Sequence, residues 1–372
     1  MANPTFPVFD AHVDSIQRAL DLGHDLGVEG PGHLDLVRGA RGGLAAVVLT
    51  AWVDPSFIGA EDGGATGRAR RLIGAFDQLM QRRSDQVAWV GNGADLDRVR
   101  AEGRIAAISG IEGGHALDDS VEELDRFFDG GVRILTLVWN NHLSWIRSCQ
   151  ALTGGNIPEG LSDLGRRIVR RMNELGMVID VSHAAESSMM DVLEVSDQPI
   201  VASHSGCYAL NDHPRNMTDA GMRALAAAGG VLGVVFCTPF LSREARKEEA
   251  AVRLLPEYKA LEGLNATDLE RQQALMIHER CGPFPLQPVV DHILHAIDVM
   301  GIEHVGLGSD YDGIQRTPQD LLDASCYGRL AEALLQAGLS ESDVQRVFFG
   351  NMERVFRQVT GPGTEASRRT GC

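Results

Sequence analysis

Eight short runs rich in Val, Ile, Leu and Ala recur along the chain, and amphipathic segments separate them. They are PVFDAHVD (7–14), LAAVVLTAWVD (44–54), IAAISGIEGG (105–114), VRILTLVWN (132–140), GMVIDVSH (176–183), PIVASHS (199–205), GVLGVVFC (230–237) and HVGLGSDYDG (304–313). Near-continuous apolarity is what a strand covered on both faces requires, and strands that alternate with helical stretches build parallel sheets. Helices are expected over 66–84, 120–129, 162–175 and 286–300. The third is the clearest, with Ser162 as its cap, apolar positions at helical spacing and Gly176 to stop it. Eight such units predict an α/β fold of the (β/α)8 TIM-barrel type.

The 372 residues exceed the ~250 of a typical barrel by roughly a hundred. The excess falls in three places: a Gly- and Asp-bearing loop at 54–65, a polar loop at 140–161 and a long charged insertion at 238–285. Long βα loops belong to the C-terminal rim, where substrate pockets form. One barrel domain over 1–360 is expected, with a disordered tail over 361–372.

A formal charge of −17 and a pI near 5.1 disfavour nucleic acid or an anionic membrane as partner. The N-terminus MANPTFPVFDAH lacks a basic start and an apolar core, so the expected location is cytoplasmic. Six cysteines without C-x-x-C spacing fit reduced thiols and leave no thiolate zinc site. Lys247 and Lys259 are the only lysines, both in the charged insertion, which argues against a Schiff-base or P-loop lysine.

The ionisable residues gather where the apolar runs end: His12 and Asp14, Glu112, His183, His204, and Asp310 with Asp312. The C-terminal ends of the strands are the functional face of a barrel. Imidazoles and carboxylates without thiols suit zinc or a similar divalent ion. His12 and Asp14 on one side, His183 and His204 on the other and Glu112 as bridge would complete a site for two Zn2+ ions about 3.5–4 Å apart, generating hydroxide from a shared water. A further carboxylate would pass the proton to a leaving amine. Either Asp310 or Asp312 suits that role, since i and i+2 share a strand face.

DAHVD, GIEGG, DVSH, ASHSG, HPRN, GLGSDYDG and the late GNMERVF, in that order and from residue 8 to about 358, resemble the membrane (renal) dipeptidases, a branch of the amidohydrolase superfamily. The resemblance implies a (β/α)8 barrel, two zinc ions and hydrolysis of dipeptides by a metal-bridging hydroxide, including dipeptides with a D-residue at the C-terminal side. It implies the ligand set above and Asp310 as acid/base. It also implies a homodimer. Arg215, in NDHPRN, falls where the family binds the substrate's terminal carboxylate, a task suited to a planar guanidinium fork. His213 beside it reads as a supporting residue, His115 as one that orients a ligand, and His292 and His295 as packing or surface residues of a helix.

One departure stands out. After its fourth strand the family often carries a His in LTH that touches the scissile carbonyl, whereas this chain reads LTLVWNNH, with Trp139 at the aligned place. Indole offers one N–H and no charge, so it does not replace a cationic imidazole. Trp139 and Asn140 are therefore expected substrate contacts, with Asn141 and His142 as neighbouring candidates. The alternative function is a related binuclear amidohydrolase acting on N-acyl amino acids or other small amides.

Overall fold

Strands that must be buried on both faces close upon one another. The computed structural model describes residues 6–151, 157–263 and 266–361. Its strands are β1 (Val8–Val13), β2 (Leu44–Trp52), β3 (Val87–Trp89), β4 (Ile105–Glu112), β5 (Val132–Thr136), β6 (Val178–Asp180), β7 (Val201–Ser205), β8 (Val231–Val234) and β9 (Val305–Leu307). All pairings between them are parallel, in the order β2-β1-β9-β8-β7-β6-β5-β4. Pairing of Ala46–Trp52 in β2 with Ala106–Glu112 in β4 closes the ring. The result is a (β/α)8 TIM barrel, and each of the eight apolar runs supplies one of its strands. The ninth strand, β3, pairs only with the first three residues of β4 and is too short to show a period in the sequence.

The helices Gly64–Arg82, Val121–Asp129, Asp163–Leu175 and Gln287–Met300 lie within two residues of their expected spans. In the third, the Ser162 side chain accepts from the Gly165 N–H, and Gly176 ends the helix at a φ of 74° that other residues rarely adopt.

Two apolar layers form. The larger lies between the barrel and its helices. The smaller fills the N-terminal half of the barrel: Phe9, Ala11, Val48, Ile108 and Ile134 point inward and meet Phe349, Met352 and Phe356 from the helical segment 346–360. With that end plugged, the opposite end is left for polar chemistry. The insertion at 238–285 folds as helices Thr238–Leu241, Arg243–Arg253, Pro256–Lys259 and Ala266–Cys281. Residues 152–156 of the 140–161 loop, and 362–372 of the expected disordered tail, lie outside the described residues. Among the described residues no helix is long and apolar enough to cross a membrane.

Candidate active site

Ala106 and Ile108 face the barrel interior, and the two-residue period carries that face to Glu112 at the end of β4. Its carboxylate meets three imidazoles. Glu112 Oε1 lies 2.9 Å from His183 Nε2 and 3.3 Å from His204 Nε2, and Oε2 lies 3.5 Å from His12 Nε2. Asp14 Oδ2 is 3.5 Å from the same His12 nitrogen. The ligand atoms of His12, Glu112 and His204 lie within 4.8 Å of one another, as do those of His12, Asp14 and Asp310. The five expected metal ligands and the expected acid/base thus converge on one spot, and all six are buried.

Local irregularity aims these side chains. The β1–β2 register shifts between Asp10 and Val13, and the β7–β8 register shifts between Ala202 and Ser205. Each shift spans an expected ligand, His12 or His204, and moves the inward face by one residue, as bulges beside active sites do. His183 and Asp310 lie past the ends of β6 and β9, at positive φ of 68° and 62°. Asp312 also has positive φ, 65°, so the shared strand face expected of Asp310 and Asp312 does not exist. The two side chains diverge. Asp312 accepts from Ser15 Oγ, from Arg18 Nη1 at 2.8 Å and from the His33 N–H at 2.6 Å. That leaves Asp310 as the carboxylate beside the cluster.

Hydrogen bonds fix which ring nitrogens face the cluster. The Asp180 carboxylate accepts four bonds: Thr136 Oγ1 and Ser203 Oγ at 2.6 Å each, and the backbone N–H groups of Ser182 and Ser203 at 2.9 Å each. Because the single Ser203 hydroxyl proton goes to Asp180, Ser203 Oγ must accept from His204 Nδ1, 2.8 Å away. His204 is therefore protonated on Nδ1 and bare on Nε2. His183 is set the same way, its Nδ1 donating to Asn140 Oδ1 at 2.9 Å. Two unprotonated Nε2 atoms then face each other at 3.1 Å with no proton between them.

The electrostatics match. Burial opposes a charge on His12, but Glu112 and Asp14 outweigh it and hold the ring's pKa well above the ordinary imidazole value. Burial also pushes Glu112 upward, yet the charged His12 ring beside it outweighs burial and holds the carboxyl well below the usual carboxylate range. Burial and the Asp14 charge raise Asp310 well above that range. His12 Nε2 and Glu112 Oε1 are sealed from solvent without a hydrogen bond of good geometry. Bare imidazole nitrogens, unsatisfied buried atoms and crowded carboxylates fit a centre built for cations.

A cavity of about 1070 Å³ opens above the cluster and reaches the helical insertion through Phe240, Glu249, Arg253 and Leu275. Arg215 lines it, and its Nη2 donates to the backbone carbonyl of His204 at 2.9 Å. Trp139 lines it too, its ring centroid 5.2 Å from Trp52 and 6.0 Å from His183. Asn140 borders the cavity, but its side-chain oxygen is committed to His183 and Gln150. His115 bonds the Val53 carbonyl rather than a ligand. His292 is buried and accepts from the Cys207 N–H, and His295 pairs with Asp219. Sequence reasoning missed Asp180 and Ser203, although they stand within the motifs DVSH and ASHSG.

The chain matches the membrane dipeptidase family (peptidase family M19) over residues 3–368. Dipeptidase tcpJ of Claviceps purpurea is 32% identical over 333 residues, covering 88% of this chain and 69% of its own. Among solved structures, the probable dipeptidase PvdM from Pseudomonas aeruginosa superposes with a TM-score of 0.81 at 26% identity, over 95% of this chain and 96% of that one. A metallo peptidase from Rhodobacter sphaeroides, liganded with a phosphinate mimic of the dipeptide L-Ala-D-Ala, gives 0.79 at 25% identity over 96% and 100%. The cluster at the barrel mouth, the whole-chain match and the shared fold agree: the chain belongs to the membrane dipeptidase family, whose members are metallo-dipeptidases of peptidase family M19.

Proposed function

We propose that this chain is a binuclear zinc dipeptidase that hydrolyses free-amine dipeptides, both L,L and L,D. His12 and Asp14 would hold one ion, His183 and His204 the other, and Glu112 would lie between them. Imidazole and carboxylate donors suit zinc among the divalent ions. Such a pair supplies Lewis acidity, bringing the pKa of water toward neutrality and polarising a carbonyl.

The observation that carries the reading is the anchoring of Arg215 on the backbone of His204. A guanidinium held on the backbone of a proposed metal ligand sets a fixed distance from the reacting centre to a terminal carboxylate, and so selects short substrates. Asp310, its pKa raised by burial and by Asp14, would take a proton from water and return it to the leaving amine. Trp139 and Trp52 would form the apolar wall beside the scissile bond. Acceptance of a D-residue is supported by the phosphinate complex of the Rhodobacter sphaeroides neighbour.

The test is release of amino acids by zinc-loaded protein from L,L and L,D dipeptides, with N-acetylated controls. Cleavage confined to the free-amine dipeptides is expected. Cleavage confined to the acylated compounds would instead establish the amidohydrolase alternative, which the indole in place of the family's imidazole favours.

A further inference from the structure

Arg215 reaches the cavity with part of its hydrogen-bonding capacity spent. Nη2 is bonded to the His204 carbonyl at 2.9 Å, Nη1 approaches Ser205 Oγ at 3.5 Å, and Nε is sealed from solvent without a partner. Three of its five N–H groups are thus committed or out of reach, and the fork that a carboxylate prefers is reduced.

His213, two residues earlier, also lines the cavity. Its Nδ1 accepts the backbone N–H of Arg215 at 3.2 Å and therefore carries no proton. Burial, followed by the charges of Arg215 and Arg246, keeps the ring neutral by lowering its pKa to about 4. In a neutral ring with a bare Nδ1, the proton sits on Nε2. Among the described residues, Nε2 has no hydrogen-bond partner, and it is not among the atoms sealed from solvent. The ring lies against Phe240, with centroids 4.4 Å apart, and the same Phe240 ring carries the Arg215 guanidinium 5.3 Å from its centre.

We infer that His213 Nε2–H is a second, uncharged donor to the substrate's terminal carboxylate, completing the grip that Arg215 begins. This rests on the dipeptidase reading above and names a specificity residue within it.

Two substitutions separate substrate binding from bracing of the loop. Asn at 213 keeps an acceptor near the Nδ1 position and removes the outer donor; Gln places a donor near the Nε2 position and removes the acceptor. The zinc-loaded full chain is assayed on a dipeptide and on its C-terminal amide. H213N is expected to raise KM for the dipeptide on the order of tenfold, to leave KM for the amide nearly unchanged, and to retain zinc content and circular dichroism. H213Q is expected to raise KM for the dipeptide by less than a third as much.

A larger defect in H213Q than in H213N would make His213 a brace for Arg215 only and overturn the inference. So would an unchanged acid-over-amide preference in H213N when the wild type shows a clear one. If the wild type does not distinguish acid from amide, the carboxylate-clamp reading of Arg215 falls, and the role of His213 falls with it.

Discussion

Replacing Ser203 by Ala removes one hydroxyl from the wall of the barrel and should weaken zinc binding while sparing the fold. In the wild type, Ser203 Oγ donates to Asp180 at 2.6 Å and accepts from His204 Nδ1 at 2.8 Å. After the substitution, Asp180 keeps three donors, from Thr136 and from two backbone N–H groups, so no carboxylate is stranded. His204 Nδ1 is what loses its partner. Without metal, the ring can move its proton to Nε2 and donate to Glu112, 3.3 Å away. With metal, Nε2 must be bare, so the Nδ1–H is held in a buried site with no acceptor.

The penalty therefore falls on the metal-bound state. An unmet buried donor costs about 1–3 kcal/mol, and each 1.4 kcal/mol is about tenfold in affinity. The expected loss at the His183/His204 position is on the order of 10- to 100-fold in Kd, the range typical of partners that orient ligands. Titration of the apo variant in chelator-buffered zinc measures it directly, with the unfolding temperature of the apo protein as control. A Kd within twofold of wild type would refute the tautomer argument and reduce the Asp180–Ser203–His204 chain to a tie between strands.

Other expectations concern separate parts of the site. Asp310→Asn should lower kcat by about 10²- to 10⁴-fold with bound zinc unchanged; retained turnover would remove Asp310 from proton transfer. Asp312→Asn should destabilise the protein by about 3–5 kcal/mol in denaturant unfolding, because Arg18 would lose its buried ion-pair partner. Burial raises the pKa of Asp312, but His33, Arg18 and hydrogen bonds from Ser15 and His33 outweigh it and leave it below the ordinary value. Its contribution is therefore fully present above about pH 4 and is lost as pH falls through the lowered folded value, so the deficit of the Asn variant should shrink in acid. A deficit that stays constant down to pH 2 would contradict that assignment. Gly233→Ala would place a Cβ 2.0 Å from the Ser203 carbonyl oxygen, so a marked loss of stability is expected, and a variant as stable as wild type would show that β7 and β8 can separate.

The barrel was legible because each of its strands is covered on both faces, which makes the apolar runs continuous and easy to separate from amphipathic helices. β3 was not legible, since three residues carry no period. At the site, the residue types and their placement after apolar runs pointed to His12, Asp14, Glu112, His183, His204 and Asp310, which the structure brings together. The choice between Asp310 and Asp312 was invisible to strand periodicity, because both lie beyond β9 at positive φ and Asp312 is claimed by Arg18, 294 positions away. Asp180 and Ser203 escaped for a related reason. Their role depends on contacts between β5, β6 and β7, and no local pattern records which hydroxyl donates to which carboxylate. Asn140 was singled out as the neighbour of Trp139, and the bond between its oxygen and His183, 43 positions away, is a contact that no local pattern records.

The most direct measurement is anomalous diffraction at the zinc edge from crystals of the zinc-loaded protein. Two peaks about 3.5–4 Å apart are expected, flanking the Glu112 carboxylate, one beside His12 and Asp14 and the other beside His183 and His204. A single peak, or peaks away from these five side chains, would contradict the binuclear centre on which the proposed activity depends.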